Sequence, residues 1–276
     1  MKNIDPIKLE VIRYAFIAAA EEMKTNLMRT AYNPVIYEIL DFSCGIFDNK
    51  CRMIAQADGL PIFLGNLAAA IKTVVQDIGL NNFKPGDLYL INDPYKTGTH
   101  VNDVTTGVPI FENKKSIIGF CSTRAHWLDI GSKDPGGSID TTDVVQEGLW
   151  LRSVQLYDAG KLNKSIWRII ENNVRYQKNM MGDLRSQIAS SRTGEKRLQD
   201  IFKHHGKKLT KLAIEKMIEQ GEKRAKKAVK EMPNGVYRAK VSLDNDVVTN
   251  NPVVTNVKVT ITDSNMIVDL TGSGQA

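Results

Sequence analysis

The sequence predicts an α+β fold, with a mixed, mostly antiparallel sheet, an N-terminal helix, a helical block at about residues 163–231 and a β-rich C-terminal segment. Three observations carry this. Apolar residues recur at spacings of three and four near the N-terminus and again from Trp167 to Ile188. Short apolar runs bounded by turn residues fill much of the interval, and alternation of apolar with polar residues returns near the end. Helices and strands thus stand in separate blocks, the arrangement of α+β proteins.

The elements follow in order. Asp5 can cap a helix with Pro6 in its first turn, and Ile12, Phe16, Ala19, Met23 and Leu27 supply its buried stripe. It should end before Asn33-Pro34. Phe42 to Phe47 and Cys51 to Gln56 read as a hairpin around Asp48-Asn49-Lys50, and a second helix is expected from about Gly65 to Ile78. Pro85-Gly86-Asp87 introduces a short strand, Leu88 to Ile91, followed by Asn92-Asp93-Pro94-Tyr95 and a loop to His100. A strand from Ser116 to Cys121 leads to Arg124-Ala125-His126, so both histidines should sit just beyond strand ends. Residues Asp129 to Gly148 read as a long, functional loop. Helices resume near Lys164 and run to Glu231 with breaks expected at Gly194 and Gly206, and Pro233-Asn234-Gly235 closes the block. Val257, Val259 and Ile261 alternate with Lys258, Thr260 and Thr262, then turn at Asp263-Ser264-Asn265 into a second strand. The chain reads as one region, 1–276, with a possible subdivision into a metal-site α+β part (1–160), a helical part (161–232) and a β part (233–276).

Composition excludes several classes. At 276 residues, 42% hydrophobic and 25% charged, the chain can bury a core without staples. Three cysteines with no CxxC pair argue against a disulfide framework or thiolate zinc, and Cys44 and Cys121 sit in apolar strands as structural thiols. No apolar run approaches the ~20 residues of a membrane span, so a cytoplasmic protein without membrane association is expected. The net charge of +6 equals the surplus of ten Lys or Arg over four Glu between Ile201 and Glu231. Without aromatic interleaving that stretch reads as a solvated face, not a nucleic-acid surface, and His204 and His205 within it read as surface residues.

The chemistry concentrates elsewhere. Two of the four histidines stand in the same pattern, His100-Val101-Asn102-Asp103 and His126-Trp127-Leu128-Asp129. An imidazole and a carboxylate three residues apart on a turn can face one point, and two His plus one carboxylate hold a divalent metal while leaving positions open. His100, Asp103 and His126 are the expected ligands. Asp129, as ligand or orienter, and Asp93 in the same loop region are the candidate catalytic carboxylates. Manganese, zinc and iron all fit such a set. No GxxxxGK[ST], GxGxxG or GxSxG motif is present, so neither nucleotide binding nor a serine nucleophile is read from the chain. Gly272-Ser273-Gly274 reads as a chain end.

At these residues the sequence resembles the hydantoinase B family, which includes the corresponding half of 5-oxoprolinase and a subunit of acetone carboxylase. The likeness runs in order from Asp5-Pro6-Ile7-Lys8-Leu9-Glu10-Val11 through Arg29-Thr30-Ala31-Tyr32, Asp41-Phe42-Ser43-Cys44 and Leu64-Gly65-Asn66. It continues through Asn92-Asp93-Pro94-Tyr95, Gly98-Thr99-His100, Arg124-Ala125-His126-Trp127, Asp129-Ile130-Gly131, Gln146-Glu147-Gly148-Leu149 and Asn173-Val174-Arg175. Gly182-Asp183-Leu184-Arg185, Gln187-Ile188-Ala189 and Val268-Asp269-Leu270-Thr271-Gly272 complete it. The resemblance implies a subunit of an ATP-dependent cyclic-amide hydrolase of hydantoin or 5-oxoproline type. It also implies a hydantoinase A-like ATPase partner that uses the ATP and activates the substrate oxygen. The alternatives it implies are an acetone carboxylase-like carboxylase acting on a small ketone, or a non-catalytic truncated homologue, since members usually continue well beyond a segment like Asp269 to Gly272. Trp127 stands where some relatives have a second histidine.

Overall fold

The structure, a computed structural model, describes residues 4–113 and 115–274. Residues 1–3, 114, 275 and 276, and with them the outer bounds of the expected 1–276 region, lie outside the described residues. Two compact units are present, residues 1–138 with 143–214, and residues 139–142 with 215–276.

In the first unit the order is α1 (Pro6–Thr30), α2 (Pro34–Tyr37), β1 (Phe42–Asp48), β2 (Met53–Gln56), α3 (Pro61–Ile78), β3 (Leu88–Ile91) and α4 (Pro94–Thr97). There follow β4 (Asp103–Glu112), β5 (Ser116–His126), β6 (Val154–Asp158), β7 (Lys161–Leu162), α5 (Lys164–Asn172), α6 (Gln177–His205) and the start of α7 (Lys207–Lys230). The strands form one antiparallel sheet in the order β2-β1-β5-β4-β3-β6-β7. The second unit holds the rest of α7 and a three-stranded antiparallel sheet of β8 (Gly235–Leu243), β9 (Val253–Thr262) and β10 (Asn265–Asp269). The α+β class read from the sequence is the one observed. No helix among the described residues is long and apolar enough to cross a membrane.

Alternation along β4 shows how the sheet is covered. Thr106 hydroxyl meets Ser191 of α6 at 2.7 Å, while a Cβ on Gly107 would touch Ile71 and Val74 of α3. Successive strand residues face opposite sides, so α6 lies on one face and α3 on the other. Leu67, Ile71 and Val74 of α3 pack on Phe47, Tyr89, Ile91 and Phe120 of the sheet, a continuous apolar core. Toward the β4–β5 end the same face turns polar.

Several boundaries differ from expectation for clear reasons. Asp5 does cap α1, accepting from Lys8 N at 3.0 Å, but α3 begins at Pro61, four residues before Gly65. Cys51 lies in the hairpin turn at φ 60 and not in a strand. Gly194 does not break α6; a Cβ there would strike Met23 Sδ and lie 3.1 Å from Cys121 Cβ, so glycine serves a close approach of α1, α6 and β5. Strand β4 was not foreseen, and β5 extends to His126. The three thiols are free and buried, and burial pushes Cys44 up to about 12 and Cys51 up to about 11.

Candidate metal centre

Two loops converge at the polar end of the sheet. Asn92, just past β3, is buried and ties three segments: its amide donates to Val101 O at 2.6 Å and Leu149 O at 3.0 Å and accepts from Leu151 N at 2.6 Å. Asp93 caps α4, accepting from Tyr95 N at 3.0 Å, and pairs with Arg152 at 3.2 Å. The helix stops at Gly98, left-handed at φ 66, and a turn through His100 delivers Asp103 as the first residue of β4. That turn closes on itself. Asp103 N donates to His100 O at 3.1 Å, and His100 N donates to the Asp103 carboxylate at 2.8 Å.

The partner loop is clamped to it. Asn102 amide donates to Trp127 O at 2.8 Å while Trp127 N donates to Asn102 O at 2.9 Å. Trp127 is fully buried on the α6 face, where its indole N–H donates to Gln187 at 2.7 Å, and Gln187 also donates to Val104 O at 2.9 Å. Position 127 therefore faces away from His126, and a histidine there would not join the cluster by the same side-chain direction.

Register then sets the geometry. Asp103 lies directly opposite His126, so both project from one face of neighbouring strands. His126 Nδ1 is 2.8 Å from one Asp103 oxygen, and His100 Nδ1 is 3.4 Å from the other. The imidazole rings meet edge to face with centroids 5.6 Å apart. One donor atom from each of His100, Asp103 and His126 lies within 4.8 Å of the others. Asp103 is fully buried and His126 mostly so, while the His100 side chain is 76% exposed, which leaves the cluster open on one side. Burial works against the Asp103 charge, yet its bonds to His100 and His126 hold the carboxyl well below the usual range. The same Asp103 bond raises His100, against the opposing effect of burial.

One residue here was missed from the sequence. Asp41, immediately before β1, accepts His126 N at 3.0 Å through its backbone carbonyl, and its Oδ1 is buried with no hydrogen-bond partner. Burial raises its pKa, the nearby Asp103 charge adds to this, and His126 and His100 oppose it. No spacing rule links position 41 to 100 or 126; the β1–β5 pairing, Phe42 opposite Ala125, brings it in.

The other two sequence candidates stand apart from the three-residue group. Asp129 is buried and committed to Arg175, accepting from its backbone N–H and, at 2.9 Å, from its guanidinium, and also from Gly131 N at 3.0 Å. Gly131, at φ 80, is required where a Cβ would strike the carbonyl oxygen of Asn173. Asp129 thus pins the start of the 129–148 loop, whose Glu147 charge reaches His100. Asp93 is occupied as a helix cap and ion-pair partner.

The donor set fits a divalent ion. Two donors about 2.1 Å from one ion can be no more than about 4.2 Å apart, so closure requires a contraction under about 1 Å. Two carboxylates, Asp103 and Asp41, would balance a dication, and the Asp41 oxygen gains the partner it lacks.

Against this geometry, the family model described as Hydantoinase B/oxoprolinase matches residues 5–276. A protein of Pseudomonas sp. (strain NS671), named as a D-/L-hydantoinase subunit, is 33% identical over 99% of this chain and 48% of its own length. The crystal structure of an ATP-dependent caprolactamase from Pseudomonas jessenii superposes with a TM-score of 0.88 at 26% identity, covering 97% of this chain and 46% of the other. A nucleotide-free acetone carboxylase structure gives a TM-score of 0.87 at 20% identity over 98% of this chain and 38% of that one, a likeness of fold alone. The chain spans about half the length of the curated relatives it matches.

Proposed function

The chain belongs to the hydantoinase B/oxoprolinase family, and from that footing we propose that it forms part of a subunit of an ATP-dependent cyclic-amide hydrolase. In this reading it works with a hydantoinase A-like ATPase and holds a divalent metal at His100, Asp103 and His126. The observation that carries the reading is the convergence of two imidazoles and a buried carboxylate from two separate loops, open to solvent at His100. Hydantoin, 5-oxoproline and caprolactam, the compounds in the relatives' names, are all ring amides, which supports that substrate class. A subunit designation on two relatives supports a partner chain, and buried free thiols suit the cytoplasm, where ATP is supplied.

A divalent ion bound here would supply polarisation of a carbonyl or a water with pKa near ~7. The chain's own residues do the positioning. Asp103, gripped by both imidazoles, fixes the ring orientations. The Asn102–Trp127 clamp and Gln187 keep the two loops in register. Asp41, whose Oδ1 is buried with no hydrogen-bond partner, adds a second carboxylate beside the cluster. Asp129 and Asp93 serve as positioning residues for the 129–148 and 94–103 loops. The carboxylase alternative draws on the sequence resemblance, in which His100, Asp103 and His126 match the metal motif of the carboxylase branch, and on the likeness of fold; the ring-amide names of the relatives favour the hydrolase.

The test is reconstitution of the subunit with its ATPase partner, ATP and each of the three ring amides. Ring opening tied to ATP hydrolysis is expected, falling at least 100-fold in His126→Ala, with metal content lost in both His100→Ala and His126→Ala. Full metal retention in both variants would remove the ligand assignment.

A further inference from the structure

Arg124 lies on β5 two residues before His126, on the same sheet face, opposite Thr105 of β4 and Ser43 of β1. It is fully buried. Nε donates to Thr105 Oγ1 at 2.6 Å, but Nη1 and Nη2 are buried with no hydrogen-bond partner. No carboxylate forms an ion pair with it among the described residues. The Asp103 charge acts on this buried cation from nearby, but no oxygen accepts from either Nη group, whereas a structural arginine would spend its fork on backbone carbonyls.

A second feature meets it. The first turn of α3, an 18-residue helix, lies against the same spot: Phe63 covers the guanidinium at 5.7 Å from Cζ to ring centroid, and Ser43 Oγ donates to Leu60 O at 3.1 Å. Leu60 is the N-cap and offers no side-chain cap. Pro61 has no N–H and Phe63 N donates to Leu60 O at 3.1 Å, so the helix end contributes chiefly its dipole beside the two unpartnered Nη groups, and both favour an anion. The planar Nη pair matches the two-oxygen edge of a carboxylate or phosphoryl group.

We propose that Arg124 and the uncapped first turn of α3 form an oxyanion pocket beside the His100–Asp103–His126 cluster, which receives a phosphoryl or carboxylate group of the substrate. The anion site stands on the geometry; its assignment to a substrate rests on the hydrolase reading. Entry requires displacement of the Phe63 ring, which closes the pocket from the α3 side.

The test uses the whole chain, with metal content measured on every preparation so that a failed metal reading shows separately. Thermal denaturation and calorimetric titration are run with inorganic phosphate and with sodium acetate, against sodium chloride at equal ionic strength. Either anion should raise the melting temperature of the unmodified protein, and the one that does identifies the group as phosphoryl or carboxylate. Arg124→Met should bind it at least ten-fold more weakly and keep its metal. Arg124→Lys, which keeps charge but loses the fork, should weaken binding several-fold while folding normally. No stabilisation of the parent by either anion, or an unchanged response in both variants, would overturn the pocket.

Discussion

At the scale of single residues, buried carboxylates decide the chemistry and part of the pH response. Asp183 on α6 accepts from Tyr32 N at 2.7 Å and Asn33 N at 3.2 Å, while its other oxygen is buried without a partner, and burial raises its pKa to about 6. Folding therefore raises this pKa above its ordinary value of 3.8. Between those values the folded state holds the extra proton, so stability falls as pH rises through the window, by roughly 3 kcal/mol. Asp183→Asn keeps an acceptor for both amides and should lose that fall; urea titrations at pH 4 and pH 7 check it, and an unchanged slope would show the carboxyl already ionised. Asp41→Asn should weaken metal affinity by about 10–100-fold without unfolding the chain, measured by competition with a chromogenic chelator. His100, Asp103 and His126 were legible because histidine is scarce and the HxxD spacing recurs. Asp41 and Arg124 were not, since their place in the site comes from strand pairing across long sequence separations. Asp129 of the second HxxD turns to Arg175 because the chain leaves β5 there.

At the scale of elements, two mid-helix glycines make opposite predictions. Gly194 on α6 has no room for a methyl between Met23 and Cys121, so Gly194→Ala should destabilise by about 1–3 kcal/mol despite its helix propensity. Gly221 on α7 has nothing within 4 Å, and Gly221→Ala should stabilise by up to about 1 kcal/mol. Denaturant unfolding of the two variants gives the signs directly; equal signs would contradict the packing. Strand β4 escaped the sequence pattern because Gly107 and Pro109 look like breakers. Gly107 instead admits Ile71 and Val74, and Pro109 lies past the last β3 partner while staying in register with Phe120 of β5. The N-terminal cap and the closing hairpin were readable because their signals are local: Asp5 with Pro6, and Asp263-Ser264 between strands paired Asn265 to Thr262.

At the scale of the whole molecule, charge and chemistry are separated along the chain. Most of the basic surplus lies on α7, where Glu219 is held by Lys216 and Lys223 and Glu222 by Lys226, the pattern of a solvated helix. Mixed oligonucleotides should show no measurable affinity at about 200 mM salt in fluorescence anisotropy; retained binding would make that helix a nucleic-acid surface. The site is instead built from β1, β4 and β5 with their loops, in the first compact unit. On the proposed reading, Asp103 and His126 from two strands in register, with His100 from the turn before β4, would hold one divalent ion. Anomalous diffraction from crystals soaked in manganese or zinc tests this most directly. A single strong peak within about 2.3 Å of donor atoms of His100, Asp103 and His126 is predicted. A peak elsewhere with this cluster empty, or no peak at all, would contradict it.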